Sequence, residues 1–379
     1  MAGAYPEDHF GAHVRIFNLA KVRELCFDTD FTIINVAGVF QSPGPFLIAA
    51  CGLRSLIPQA QRMLEDTVFD LASVTKVFAT APLVAKLVER RWLSWDTPVS
   101  AILSDYPKVI LRSATCSLIR QGCLHVVPIG KSCGRKQEGQ AQLEHLSPEV
   151  RQAWMRQLVY KEPLEARVGE RCVYSDLSFM LLGYVIEELT SLPLDQAVRK
   201  WVWEPMGIKH AAFRRSDRPL SLSQVEKYAA TENSFTRGRI LQAEVDDDNC
   251  WAMGGYGGHA GAFAQASDLL KFARSLIQGE YLTSETLRVM WQRVSEPEAC
   301  ERTLGWDTPS LLGSSLGNQW SRQSVGHLGF TGTALWIDRE ARLAVTLLSN
   351  RVHPSRSNLK IKAFRPQFFD AIRLDLGGL

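Results

Sequence analysis

The chain has 379 residues, 46% of them apolar and 22% charged, and carries a net charge of +3. That composition is enough for a full core in two lobes or in one domain with a large insertion, and it excludes a strongly basic nucleic-acid or membrane-surface protein. The apolar runs are too short to cross a bilayer, and the opening MAGAYPEDHFGAHVRIF lacks a basic stretch followed by an apolar one. No signal peptide is legible, so a cytoplasmic protein is expected, with its eight cysteines as reduced thiols.

In chain order, residues 33–52, IINVAGVFQSPGPFLIAACG, predict two apolar strands joined by a Ser-Pro-Gly-Pro turn. A helix starting near Ser73 runs into VFATAPLVAKLVERRWL, where Pro82 must kink or restart it. Ser147 followed by Pro148 predicts an N-cap with proline at the first helical position. SFMLLGYVIEEL, residues 178–189, is apolar enough for a buried helix. Ser267 is expected to cap DLLKFARSLIQ, with Gly279 ending it. TALWIDREARLAVTLLSN, residues 333–350, predicts a second hairpin. Strands at both ends with helices between them imply an α+β fold, an antiparallel sheet built from both chain ends and flanked by helices. Residues 1–95 and 255–379 then form the sheet domain and 96–254 a mostly helical inserted region.

Three stretches carry chemistry. In FDLASVTKVFAT, Ser73 and Lys76 are three residues apart, which on a helix puts hydroxyl and amine on one face. A serine hydroxyl needs an adjacent base, and a lysine serves when burial keeps it neutral. Ser-x-x-Lys also arises by chance about once in a chain of this size, and Ser357 to Lys360 is a second instance. Ser73 differs by its context, an apolar helical run following an acidic turn, whereas Ser357 sits in a basic, polar tail. CVYSDLSFMLLGYVIEE places Tyr174 and Asp176 before a buried helix, where packing is the ordinary role of a tyrosine. SVGHLGFTGTALWID brings His327 and two glycines into a strand, where a tight turn is the ordinary explanation.

In this order, the three stretches resemble the serine β-lactamase-like family, which includes class C β-lactamases, D-alanyl-D-alanine carboxypeptidases and related serine esterases. The resemblance spans roughly residues 50–110 and 160–365. It implies that Ser73 is the nucleophile, Lys76 its base partner and Tyr174 a participant in proton transfer. It also implies that Asp176 stands where asparagine is commoner. His327 and Gly329 would line the edge strand, with the Phe330 N–H as second oxyanion donor beside that of Ser73. Many β-lactam-processing members have lysine where this chain has His327. A histidine is mostly neutral near pH 7 and binds a substrate carboxylate weakly. The implied reaction is therefore hydrolysis of small esters through an acyl-enzyme, without cofactor or metal. β-Lactamase or D-amino-acid peptidase activity is the alternative, as is a non-catalytic binding module; the oligomeric state is not legible.

Two further stretches compete for attention. GYGGHA, residues 255–260, fits a dinucleotide-binding fingerprint in letters, but an acidic stretch rather than a strand precedes it. A glycine loop lining the pocket, carrying His259 as a substrate-binding residue, is the better expectation. Leu111 to Lys136 holds Cys116, Cys123, His125 and Cys133 at gaps too irregular for a zinc site. Read from the third base of the Ser113 codon with permissible codons, this stretch gives RHLLSHSSGLPACRPYWEKLR. That text resembles the family's own continuation after PKVILR-like sequence. Residues 113–135 are thus expected to be an out-of-frame translation, with the original frame resuming near Arg135 to Gly139.

Overall fold

The computed structural model describes residues 35–106, 143–162, 172, 174–294 and 300–376. The expected out-of-frame stretch, 113–135, lies outside the described residues.

A five-stranded antiparallel sheet organises the molecule. From one edge to the other its strands are Val325–Leu328, Ala334–Asp338, Leu343–Ser349, Asn35–Gln41 and Phe46–Ala50. Both expected hairpins are present, and they pair with each other: Asn35 lies opposite Ser349 and Gln41 opposite Leu343. Side chains alternate between faces along a strand, and both faces of this sheet are covered. Leu343, Val345 and Leu347 pack with Trp336 against Phe364, Phe368 and Ile372 of the helix Ile361–Asp375. Ala344 and Leu348 join Leu335 and Ile337 in the main core, with Leu269, Phe272 and Leu276 of the helix Ala266–Gln278. Burial on both sides is why LAVTLLS reads as a mostly apolar run, with Thr346 and Ser349 buried among its aliphatic residues.

Of the three helix ends read from the sequence, those at Ser147 and Gly279 form as expected and that at Ser267 does not. Ser147 accepts from the Val150 N–H, and Pro148 opens the helix Pro148–Lys161. Ser175 caps the helix Asp176–Thr190 through the Ser178 N–H. Ser267, expected as a cap, instead lies inside Ala266–Gln278, which begins one residue earlier behind Gln265. An alanine is a good first-turn residue, so the helix simply extends past the serine. Gly279 ends it in the left-handed region, at φ 72°.

Pro82 does restart its helix. Residues Lys76–Thr80 form a wide turn, closed by the Ala81 N–H bonding back to the Lys76 carbonyl, before the regular helix Ala81–Glu89. Proline has no N–H to give the carbonyl four residues earlier. That carbonyl, of Phe78, is taken instead by the indole N–H of Trp203 at 3.2 Å.

The stretch between the hairpins is less uniformly helical than its pattern suggests. Phe69–Asp70, Ala262–Ala264 and Ala212–Phe213 form a three-stranded sheet, and Ala230–Ser234 pairs with Arg239–Gln242. Such short strands hold too few alternations to leave a period in the sequence. Cys172 and Cys300 form a disulfide, which corrects the expectation of reduced thiols; at a separation of 128 residues no spacing pattern pairs them in advance.

Candidate active site

The strand Phe69–Asp70 delivers the chain into a tight turn. Ala72 takes a left-handed conformation at φ 45°, which costs a residue with a Cβ about 1 kcal/mol or more. The strain is held in place from several sides. The Asp70 carboxylate accepts from the Ala72 N–H at 2.8 Å and from the Asp246 N–H at 2.7 Å. The hydroxyls of Thr331 and Thr333 donate to the carbonyls of Asp70 and Leu71 at 2.8 and 2.9 Å. Gly329 makes this approach possible, since a Cβ there would stand 2.0 Å from Thr333 Oγ1 and 2.5 Å from the Leu71 carbonyl. The edge strand Val325–Leu328 is thereby fastened to the turn that presents Ser73.

Ser73 Oγ lies 3.0 Å from Lys76 Nζ and 2.6 Å from the Tyr174 hydroxyl. Lys76 is completely buried. Its Nζ also donates to Asp176 Oδ1 at 2.7 Å and to the His259 carbonyl at 3.0 Å. Three acceptors match the three donors of an ammonium group. Burial opposes that charge, but the Tyr174 oxygen and the Asp176 carboxylate outweigh burial and raise the lysine above its ordinary value. Burial likewise pushes the Tyr174 phenol up, only partly offset by Lys76. Burial works to raise Asp176, yet the neighbouring ammonium overrides it and lowers the carboxyl. The resting site therefore holds ammonium, phenol and carboxylate. Losing one proton turns Lys76 from a donor into an acceptor for the Ser73 hydroxyl, which is the condition for general-base work.

Ser73 opens into a cavity of about 230 Å³ lined by Ala72, Asp246, Asp247, Asp248, Asn249, Phe330 and Arg356. Among the described residues, neither the Ser73 nor the Phe330 N–H bonds a backbone carbonyl. Sequence reasoning missed Arg356, the Asp246–Asn249 wall and Asp70. The run DDDN, followed by an apolar stretch, was the available signal for the wall: Asp247 caps the short helix Asp248–Ala252 through the Cys250 N–H. Arg356 had none, because only the fold brings it to Asp246 and Glu232, at 3.2 and 2.8 Å.

His327 sits on the edge strand, buried, with its ring centroid 5.9 Å from that of Tyr174 and Nδ1 2.8 Å from the Leu328 carbonyl. Burial pushes its pKa down to about 4, so the imidazole is neutral at pH 7. His259 does not present its ring to the pocket. The ring is fully buried, with Nε2 3.1 Å from Asp247 Oδ1, and the residue serves the site through its carbonyl on Lys76. The glycine loop is likewise packed rather than open. A Cβ on Gly258 would stand 2.0 Å from the Phe179 carbonyl, and the Gly258 carbonyl accepts from Thr80 Oγ1 at 2.7 Å. Gly258 is there for close packing between the helices that carry Lys76 and Asp176, and Gly255 for close approach to the Arg214 carbonyl, which corrects the expectation of a pocket-lining loop. The second Ser-x-x-Lys has no such setting; Ser357 Oγ is 2.9 Å from Ser355 Oγ in an exposed turn.

Comparison with known proteins gives a consistent picture. Residues 36–365 match the family model described as Beta-lactamase. A protein of Salmonella typhimurium, provisionally named a D-alanyl-D-alanine carboxypeptidase, is 27% identical over 334 residues, covering 81% of this chain and 74% of its own. Among solved structures, unliganded simvastatin synthase (LovD) from Aspergillus terreus superposes with a TM-score of 0.69 at 18% identity, covering 97% of this chain and 100% of that one. EstCE1, described as a hydrolase with promiscuous acyltransferase activity, gives 0.66 at 19% identity over 92% and 98% of the two chains. A penicillin binding protein from Bacillus halodurans gives 0.66 at 19% identity over 90% and 98%.

Proposed function

The chain belongs to the Beta-lactamase family, whose members are serine hydrolases, and on that premise we propose that it hydrolyses small uncharged esters through an acyl-enzyme on Ser73. The observation that carries this reading is the convergence of Lys76 and Tyr174 on one serine oxygen, at 3.0 and 2.6 Å. Ser73 Oγ attacks the ester carbonyl and its proton passes to the Lys76–Tyr174 pair. The carbonyl oxygen gathers negative charge between the N–H groups of Ser73 and Phe330. The pair returns the proton to the leaving alcohol, and water then resolves the acyl-enzyme by the same relay in reverse.

The preference for uncharged substrates rests on His327 and on the pocket wall. A lysine at position 327 would offer a fixed charge to a substrate carboxylate, whereas the buried, neutral imidazole offers none. The wall opposite Ser73 carries three aspartates against one arginine, Arg356, which further disfavours an anion. The relatives' carboxypeptidase name points to substrates ending in a carboxylate, so the two readings differ in a measurable way.

Purified protein should turn over a chromogenic short-chain ester faster than a chromogenic cephalosporin or a peptide ending in D-Ala-D-Ala. Ser73→Ala should abolish turnover. Ester hydrolysis surviving Ser73→Ala would sink the mechanism. Preferred cleavage of the cephalosporin or peptide would move the assignment to β-lactamase or peptidase, and a folded protein inert toward all three would leave a binding module.

A further inference from the structure

The described residues enclose a second cavity, of about 370 Å³, bounded by Val245 and Trp251, which bracket the substrate-pocket wall. This is room for one small molecule rather than a single ion. Five arginines line it, Arg151, Arg214, Arg215, Arg218 and Arg239, against two carboxylates, Glu144 and Glu244. The carboxylates are already taken, since Arg239 holds Glu244 at 2.9 Å and Glu144 at 3.0 Å. Arg215 is neutralised from outside the cavity by Glu149 and Asp217, at 2.5 and 2.8 Å.

Among the described residues Arg151 and Arg214 have no carboxylate partner, while Arg218 shares the buried Asp195 with Arg215. Arg151 is buried and donates to the carbonyls of Trp251 and Ala252 and to Ser216 Oγ. Arg214 donates to the carbonyls of Ala243 and Arg218, at 3.3 and 2.9 Å. Arg218 reaches Asp195 at 3.5 Å. Burial lowers the pKa of both Arg151 and Arg214, opposed in part by Glu144 near the first and Tyr228 near the second. Two guanidinium groups without a carboxylate partner, beside a third that shares one, make a concave, partly apolar site complementary to an oxyanion, which accepts two of their N–H groups at once. Leu220, Val225 and Trp251 supply apolar wall beside them.

We propose that this cavity binds a small organic anion, an oxyanion group on an apolar body, through Arg214 and Arg218 with Arg151 behind them. A carboxylate and a phosphate ester share that chemistry, and two probes separate them. Isothermal titration of the 379-residue chain at constant ionic strength, with benzoate, phenyl phosphate and uncharged benzamide, reads the site directly. At least one anion should bind saturably, benzamide should not, and the tighter anion identifies the group. Arg214→Gln and Arg218→Gln should each weaken binding at least tenfold. The Arg218 side chain is 59% exposed, so its variant decides the matter even where Arg214→Gln folds poorly. Ser73→Ala should bind as the parent does. The proposal is overturned if neither anion saturates, if benzamide binds equally well, if Arg218→Gln binds as the parent, or if Ser73→Ala abolishes binding and so places the probe in the substrate pocket.

Discussion

Tyr174 and Asp176 together set the protonation of Lys76, and Asp176 is the one of the two that carries a charge at rest. Its carboxylate, 2.7 Å from Lys76 Nζ, holds the lysine as an ammonium, and the Ser73 hydroxyl then has no free base beside it. Activity should accordingly climb with pH, since Lys76 and Tyr174 are both raised above their ordinary values and the active form has lost one of their protons. We expect kcat/KM for a neutral ester to keep rising beyond about pH 9. In Asp176→Asn the ammonium loses its counter-charge. The rising limb should then move toward acid by about one unit or more. An unmoved limb would mean that Asp176 is not what holds the proton. Asp70 makes a second prediction of opposite character. Burial, with Asp246 nearby, lifts its pKa from 3.8 to about 7 in spite of two backbone N–H bonds. Between those values the folded protein keeps a proton that the unfolded chain has released. Stability from this group is therefore lost as pH rises from about 4 to 7, on the order of 4 kcal/mol in all, and is flat outside the window. Asp70→Asn removes the titration. Urea denaturation of parent and variant should show their stability difference drifting in the variant's favour across that window, against a constant offset from the altered hydrogen bonds.

At the scale of elements, the wide turn Lys76–Thr80 is where sequence and structure can be compared most sharply. Pro82 announces a break, and the break is there, but its consequence depends on Trp203, which sits far along the chain and donates its indole N–H to the orphaned Phe78 carbonyl. Trp203→Phe should leave that buried carbonyl unpartnered and cost about 1–3 kcal/mol beyond the lost packing. Pro82→Ala restores an N–H that can reach Phe78. In a double-mutant cycle by denaturant unfolding, Pro82→Ala should recover part of the loss in the Trp203→Phe background; strictly additive effects would refute the link. The same contrast runs through the site. The convergence of Lys76 and Tyr174 on Ser73 was anticipated through the family resemblance, because spacing alone also offered Ser357 to Lys360 and left Tyr174 and His327 with ordinary packing and turn roles. The role of His259 was not. A histidine beside glycines suggests a ring facing a ligand, and only the packing of Gly258 on Phe179 shows that the backbone carbonyl is the working group. Arg356 and the Asp246–Asn249 wall escaped notice because their partners are brought together by tertiary structure alone.

At the scale of the whole molecule, the main sheet joins residues 35–50 to residues 325–349, so it closes only when segments far apart in the chain meet. The site inherits that dependence: Ser73 comes from one end of the chain, Tyr174 from the middle and Phe330 from the other end. A disulfide between Cys172 and Cys300 also closes a long loop, a constraint worth about 5 kcal/mol in the chain-entropy account. None of the residues proposed for catalysis lies in the anomalous stretch 113–135, so stability is where its effect is sought. If that stretch is an out-of-frame translation, its letters were never selected for this fold, and local choices disagree with the global one. Each buried polar group left without a partner costs about 1–3 kcal/mol, or a few degrees in thermal midpoint for a chain of this size. A variant in which residues 114–134 are replaced by RHLLSHSSGLPACRPYWEKLR should consequently melt at least about 3 °C higher. It should also hydrolyse the chromogenic ester at a higher rate per milligram, with its Ser73→Ala derivative still inert. An equal or lower melting temperature would show that the present letters suit the fold and that the frame hypothesis is wrong.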